Sequence, residues 1–201
     1  MDIQPMETIE SIEGEKASDK ASARLNMLVA ITVALLATFM GICKVKDDNI
    51  VQAMQQAQAN KLDHWAFYQA RNVREEVAKG TLIQLRLSAA SRPADEKNGY
   101  QAAIDSYQQL SDEQRKKKEE LKAQADQDQK DYDASNYRDD QFDLSDALAA
   151  IAISLLAVTA LTHQLWLYWL SLVPTAGAIL MGAAGLFGWA LHPSTLISWL
   201  S

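Results

Sequence analysis

Two stretches of this chain carry no charged side chain, Leu25 to Cys43 and Ala147 to Ser201, and the charges crowd into the segment between them. The first run has 19 residues. As a helix it covers about 28 Å, close to the thickness of a bilayer's hydrocarbon core. The second run divides at His163-Gln164-Leu165 into apolar helices over 147–163 and 166–190, a tight pair. Trp166, Tyr168 and Trp169 mark one interfacial end of the last helix and Trp189 the other. Pro174, inside it, is expected to kink it. The pattern predicts an all-α integral membrane protein with three transmembrane helices. Asp143 and Ser145 read as N-caps of the second span, with Asp146 in its first turn, where the helix dipole favours an anion. Ala178, Gly182 and Gly185, with Gly188, form a smooth face on the third span. Ala150, Ser154 and Ala157 repeat that spacing on the second, so the two faces are expected to pack together.

The segment between the first and second spans, 44–146, alternates in helical rather than strand periods. Ile50, Met54 and Ala57 form one apolar stripe, and Leu62, Ala66, Val73 and Val77 continue it after a five-residue step. The heptad is therefore imperfect, and a coiled coil is expected only loosely. Pro93 and its neighbours break the helix, which places a turn near 91–97. Tyr100, Ala103, Ile104, Tyr107 and Leu110 form the stripe of a second helix. From Ser111 to Gln141 the chain is mostly charged, with Leu121 its only large aliphatic residue, as in an exposed helix or a partly disordered arm. The expectation is a long antiparallel helical hairpin outside the membrane. Residues 1–24 read as an acidic tail, with weak spacing of Ile3, Met6, Ile9 and Ile12. Residues 191–201 read as a short apolar tail.

Composition changes this picture mainly by exclusion. The average, 48% apolar and 22% charged, resembles a soluble protein only because the two classes are segregated. A net charge of −7 argues against a nucleic-acid partner, which demands a basic footprint. The single cysteine, Cys43, allows no intrachain disulfide. His64, His163 and His192 have no second ligand at metal spacing, and the carboxylates from Asp126 to Asp143 do not space as a calcium loop. No nucleophile elbow, phosphate loop or dinucleotide fingerprint is present. No enzymatic activity, cofactor or metal is expected; the expected partner is the lipid bilayer.

One segment departs from its polar surroundings: Asp63-His64-Trp65-Ala66-Phe67-Tyr68-Gln69-Ala70-Arg71. Trp65 and Tyr68, one turn apart, are placed to cover the partner helix near Tyr100 to Leu110. Three rings spread at roughly 100° per residue exceed what one partner helix covers. Asp63, Trp65, Phe67, Tyr68 and Gln69 are therefore candidate interaction residues of a homo-oligomer. The segment resembles the D-x-W-A-x-Y-Q-A-K/R signature of a bacterial membrane family known as domain of unknown function 4337. Gly14-Glu15-Lys16, and Phe142-Asp143 leading into Ala152-Ile153-Ser154-Leu155-Leu156-Ala157, extend the resemblance. It implies a three-span protein of the bacterial inner membrane and supplies no catalytic residue. The basic residues near the spans, Lys16, Lys20 and Arg24 against Lys44, Lys46, Lys130 and Arg138, do not decide orientation. The resemblance implies a cytoplasmic N-terminus and a periplasmic helical domain. The leading expectation is a structural or interaction protein, scaffold-like and homo-oligomeric. The alternative is a subunit or accessory component of a transporter or channel, with Thr32, Thr38, Ser154 and Thr159 as its polar groups.

Overall fold

The computed structural model describes residues 5–93 and 96–191, with side chains from Asp19 onward. Among these residues every regular element is an α-helix: α1 Pro5–Ala90, α2 Lys97–Thr162 and α3 Leu165–Phe187. Ile3, His192 and the C-terminal tail after Leu191 lie outside the described residues, as do the side chains of Met6, Ile9 and Ile12. α1 starts at Pro5, so the expected tail is helical from there. Proline suits a first helical turn, where its missing N–H is not needed. All three helices contain a stretch long and apolar enough to cross a membrane. α1 and α2 far exceed a bilayer's thickness, so a membrane would hold only part of each.

α2 passes through Asp143, Ser145 and Asp146 without interruption, so none of them caps a helix start. No Pro or Gly separates the charged stretch from the apolar run that follows it, and the helix has no reason to stop. Ser145 instead donates its hydroxyl to the carbonyl of Ala178, 2.8 Å away. α2 ends at Thr162, where His163 takes a left-handed conformation (φ 54°) and donates its N–H to Thr159. That conformation is a common way to close a helix.

The chain forms two compact units, one of Met1–Val51 with Asn136–Ser201 and one of Gln52–Ser135. In the first, Leu36, Ala149, Ala152 and Ala178 form one buried cluster, and Leu25, Val29 and Leu156 another. Gly182 of α3 lies against Phe39 and Ser145, and Gly185 against Phe142. The expected partner face on α2 is out of phase. Ala150, Ser154 and Ala157 are exposed, while Ser145, Ala149, Ala152, Leu156 and Thr159 turn inward. These inward positions alternate by four and three residues, and Ala150 and Ala157 sit one residue, about 100°, off that line.

The end of α3 is fixed by backbone and side chain together. α3 runs through Pro174 and stops at Phe187, three residues before the expected limit. Gly188, expected to extend the packing face, adopts φ 69° and caps the helix instead. Arg138 of α2 donates twice to the carbonyl of Gly185, at 2.9 and 3.3 Å. Gln141 donates to the carbonyls of Trp189 and Leu191 at 2.9 and 2.6 Å. Carbonyls freed at the helix end thus find donors on α2, one of them cationic, as the helix dipole favours.

In the second unit α1 and α2 pair antiparallel, since ascending positions on α1 meet descending ones on α2: Lys61 with Gln129, Arg71 with Gln114 and Arg86 with Gln108. The charged stretch after Ser111 is helical, with Ser111, Gln114 and Ala125 buried. On α1 the expected five-residue step does not occur. Burial continues from Met54 and Ala57 through Lys61, His64, Tyr68, Arg71, Glu75, Ala78 and Leu82, alternating by three and four residues. Leu62, Val73 and Val77 remain 64%, 61% and 62% exposed, and Ala66 is exposed as well. The seam keeps heptad phase by taking in polar side chains, because α2 offers each a partner.

Candidate interaction surface

The aromatic segment divides between the seam and the outside. Trp65 and Tyr68 are half-buried and meet edge to face, ring centroids 5.2 Å apart. The Lys118 ammonium lies 5.9 Å from the centre of the Tyr68 ring, within range of a cation–π attraction. Tyr68 therefore meets α2 at Lys118 and not at the Tyr100–Leu110 stripe. The turn after Ala90 sets this register, since Tyr68 is as far before it as residues near 118 are after it. Phe67 is 61% exposed, and Asp63 and Gln69 are exposed. The five candidate residues thus do not form one patch.

The seam itself is a ladder of polar pairs. Lys61 donates to Gln129, and His64 Nδ1 lies 2.6 Å from a carboxylate oxygen of Asp128. Arg71 donates to Gln114 at 3.0 Å, and Lys118 to Asn72 at 3.1 Å. Glu75, 1% exposed, is held between Lys118 and Lys79, each 2.7 Å away. Lys118 first, and Lys79 second, keep its carboxyl below the usual range. Sequence reasoning missed these residues because hydrophobic periodicity skips charged positions. Counting three-four spacing through Lys61, His64, Arg71 and Glu75 would have found them.

The face of α1 roughly opposite the seam is aliphatic. Leu62, Val73, Val77, Ile83 and Leu87 are each more than half exposed. At 100° per residue they fall on one side of the helix, with Ala66, Gly80 and the exposed polar residues Gln69 and Gln84 between them. Glu76, which lies within this face between Leu87 and Ile83, is paired with Lys79 of its own helix at 3.0 Å. On α2 of this unit, Leu110 is the one exposed large hydrophobic among the described residues. The outward surface of α2 is otherwise charged or polar, so the two helices of the hairpin present different chemistry to their surroundings.

Among the described residues, no group of three or more His, Cys, Asp or Glu could hold a metal ion. No curated protein and no solved structure matches the chain. A family model described as a domain of unknown function, DUF4337, matches residues 25–188, from the start of the first apolar run to the glycine that caps α3.

Proposed function

From the premise that the chain belongs to the DUF4337 family, we propose that it is a non-catalytic, multi-pass membrane protein that assembles with copies of itself as a scaffold. The apolar stretches of its three helices span the bilayer, and the bilayer is their partner. The observation that carries the self-association is the aliphatic face of α1, Leu62 to Leu87. Its five large residues expose roughly 500 Å² of apolar surface, near the upper end for a monomer and approaching one partner's share of a standard interface. Apposing two such faces buries both aliphatic stripes and leaves the charged α2 helices outside. Gly80 and Ala66 let the helices approach closely. The proposed membrane is a bacterial inner membrane, with a cytoplasmic N-terminus and residues 44–146 in the periplasm.

Single cysteines at Val73 and Val77, in a Cys43→Ala background, should form disulfide-linked dimers in native membranes, whereas one at exposed Ala102 should not. The double substitution Val73→Glu/Val77→Glu should lower the mass of the detergent-solubilised protein, measured by light scattering, at unchanged helical content. A wild-type protein that is monomeric would overturn the self-association reading. An oligomer whose mass ignores these substitutions would move the contact to another surface. The transporter or channel alternative draws less support. Thr32, Thr38, Ser154 and Thr159 each donate to a carbonyl of their own helix, at 2.8–2.9 Å, which spends the donors on the backbone.

A further inference from the structure

In the first unit, carboxylates from two helices gather beside one lysine. Asp47 of α1 is 3% exposed. Its Oδ2 accepts a hydrogen bond from Lys44 at 2.8 Å. Its Oδ1 is equally buried and has no donor in the structure. A buried acceptor left without a donor is costly, and native structures rarely keep one. Asp139 of α2 lies within hydrogen-bond reach of Asp47 once one of the two carboxyls carries a proton. We propose that Asp47 and Asp139 form a carboxyl–carboxylate pair that binds a single proton. The proton comes from solvent, sits on Asp139, and its O–H donates to Asp47.

The surroundings favour this occupant. From α1 the pair is faced by Lys44, which also meets the exposed Asp48, and the buried Cys43 thiol lies near Asp47. From α2 come Asp140, Asp143 and Asp146. Arg138 is nearby in sequence but is directed at the Gly185 carbonyl. α3 brings no charged side chain between Leu165 and Phe187. One lysine therefore faces an excess of carboxylates, and adding a proton relieves both the repulsion and the missing donor. In keeping with this, burial first, then the Asp47 hydrogen bond and the neighbouring carboxylates raise Asp139 to about 6. A metal ion is a poorer fit, because no three of these ligands converge.

A carboxyl whose proton affinity is raised by folding contributes stability that is fully present below its unfolded value and is lost as pH rises through its folded value. The thermal midpoint of the full-length protein in detergent should therefore fall, by about 2–4 °C, between about pH 5 and about pH 7. Asp139→Asn supplies a permanent N–H donor and should hold the higher midpoint across that range. Asp139→Ala supplies none and should be low throughout. Infrared difference spectra of the wild type should show a protonated-carboxyl band that disappears near pH 6 and is missing in Asp139→Asn. A wild-type midpoint without this slope, or an Asp139→Asn protein that keeps it, would overturn the proposal. So would a stabilisation by millimolar calcium at about pH 7 that needs Asp139, since a metal would then be the occupant.

Discussion

At the scale of single residues, close packing in the first unit tolerates little. A Cβ on Gly185 would lie 2.7–2.9 Å from three atoms of the Phe142 ring. Phe142 is only 1% exposed, so its ring cannot swing aside. Gly185→Ala should cost about 1–3 kcal/mol through overpacking, seen as a lower thermal midpoint in detergent. Gly80→Ala meets nothing within 4 Å and sits mid-helix, so the hairpin should gain up to about 1 kcal/mol. Part of this contrast was legible in the sequence. Ala178, Gly182 and Gly185 stood out because small residues at helical spacing have few other uses in an apolar run. Their partners were not legible. Several phases of α2 offer small residues, and only the fold shows that Ser145, Ala149 and Ala152 are the ones turned inward.

At the scale of the element, α1 combines a polar seam with an aliphatic outer face. The sequence signalled its helicity and the break near Pro93, because composition and breakers act locally. It misdirected the stripe, because hydrophobic counting followed Leu62, Val73 and Val77 to the wrong side. Three-four spacing could have placed the seam residues on one side of α1, but why that side is polar becomes clear only beside partners some 40 to 70 positions away, such as Gln114, Lys118 and Asp128. Lys118→Met should weaken the hairpin by about 1–3 kcal/mol, since it removes one of two cations from a buried carboxylate. Hydrogen exchange of amides in residues 52–135 would register it. Glu75, whose carboxyl is held below the usual range, contributes stability above about pH 4.5 that is lost as pH falls through its folded value. The same amides should therefore exchange more readily on acidification, and less pH-dependently in Glu75→Gln/Lys118→Met.

At the scale of the whole molecule, the two units are expected to respond oppositely to acid. Protonation is expected to firm the Asp47–Asp139 contact and to loosen the Glu75 contact. Membrane attachment should be indifferent to both. On the proposed three-span reading, apolar burial in lipid is insensitive to ionic strength, unlike adsorption at a charged surface. The protein should stay in the pellet after high-salt and alkaline washing of membranes. Recovery in the supernatant would contradict the three-span reading. The three long apolar helical stretches were the most legible feature of the chain, because a helix in water rarely runs for a bilayer's length without a charged residue.

The ladder between α1 and α2 also bears on how this protein can change over evolutionary time. Glu75 and Lys118 lie 43 positions apart, yet losing either one leaves the other as a charge poorly matched to its site. Their descendants should therefore drift as a couple, through paired replacements that keep or remove both charges. His64 with Asp128, and Arg71 with the neutral Gln114, are coupled more loosely, each as a hydrogen-bonded pair. Aligned relatives should show these positions covarying across the turn, while exposed α2 positions such as Ala102 and Lys116 vary independently. The hairpin's register would then be written twice, once in contacts and once in correlated ancestry.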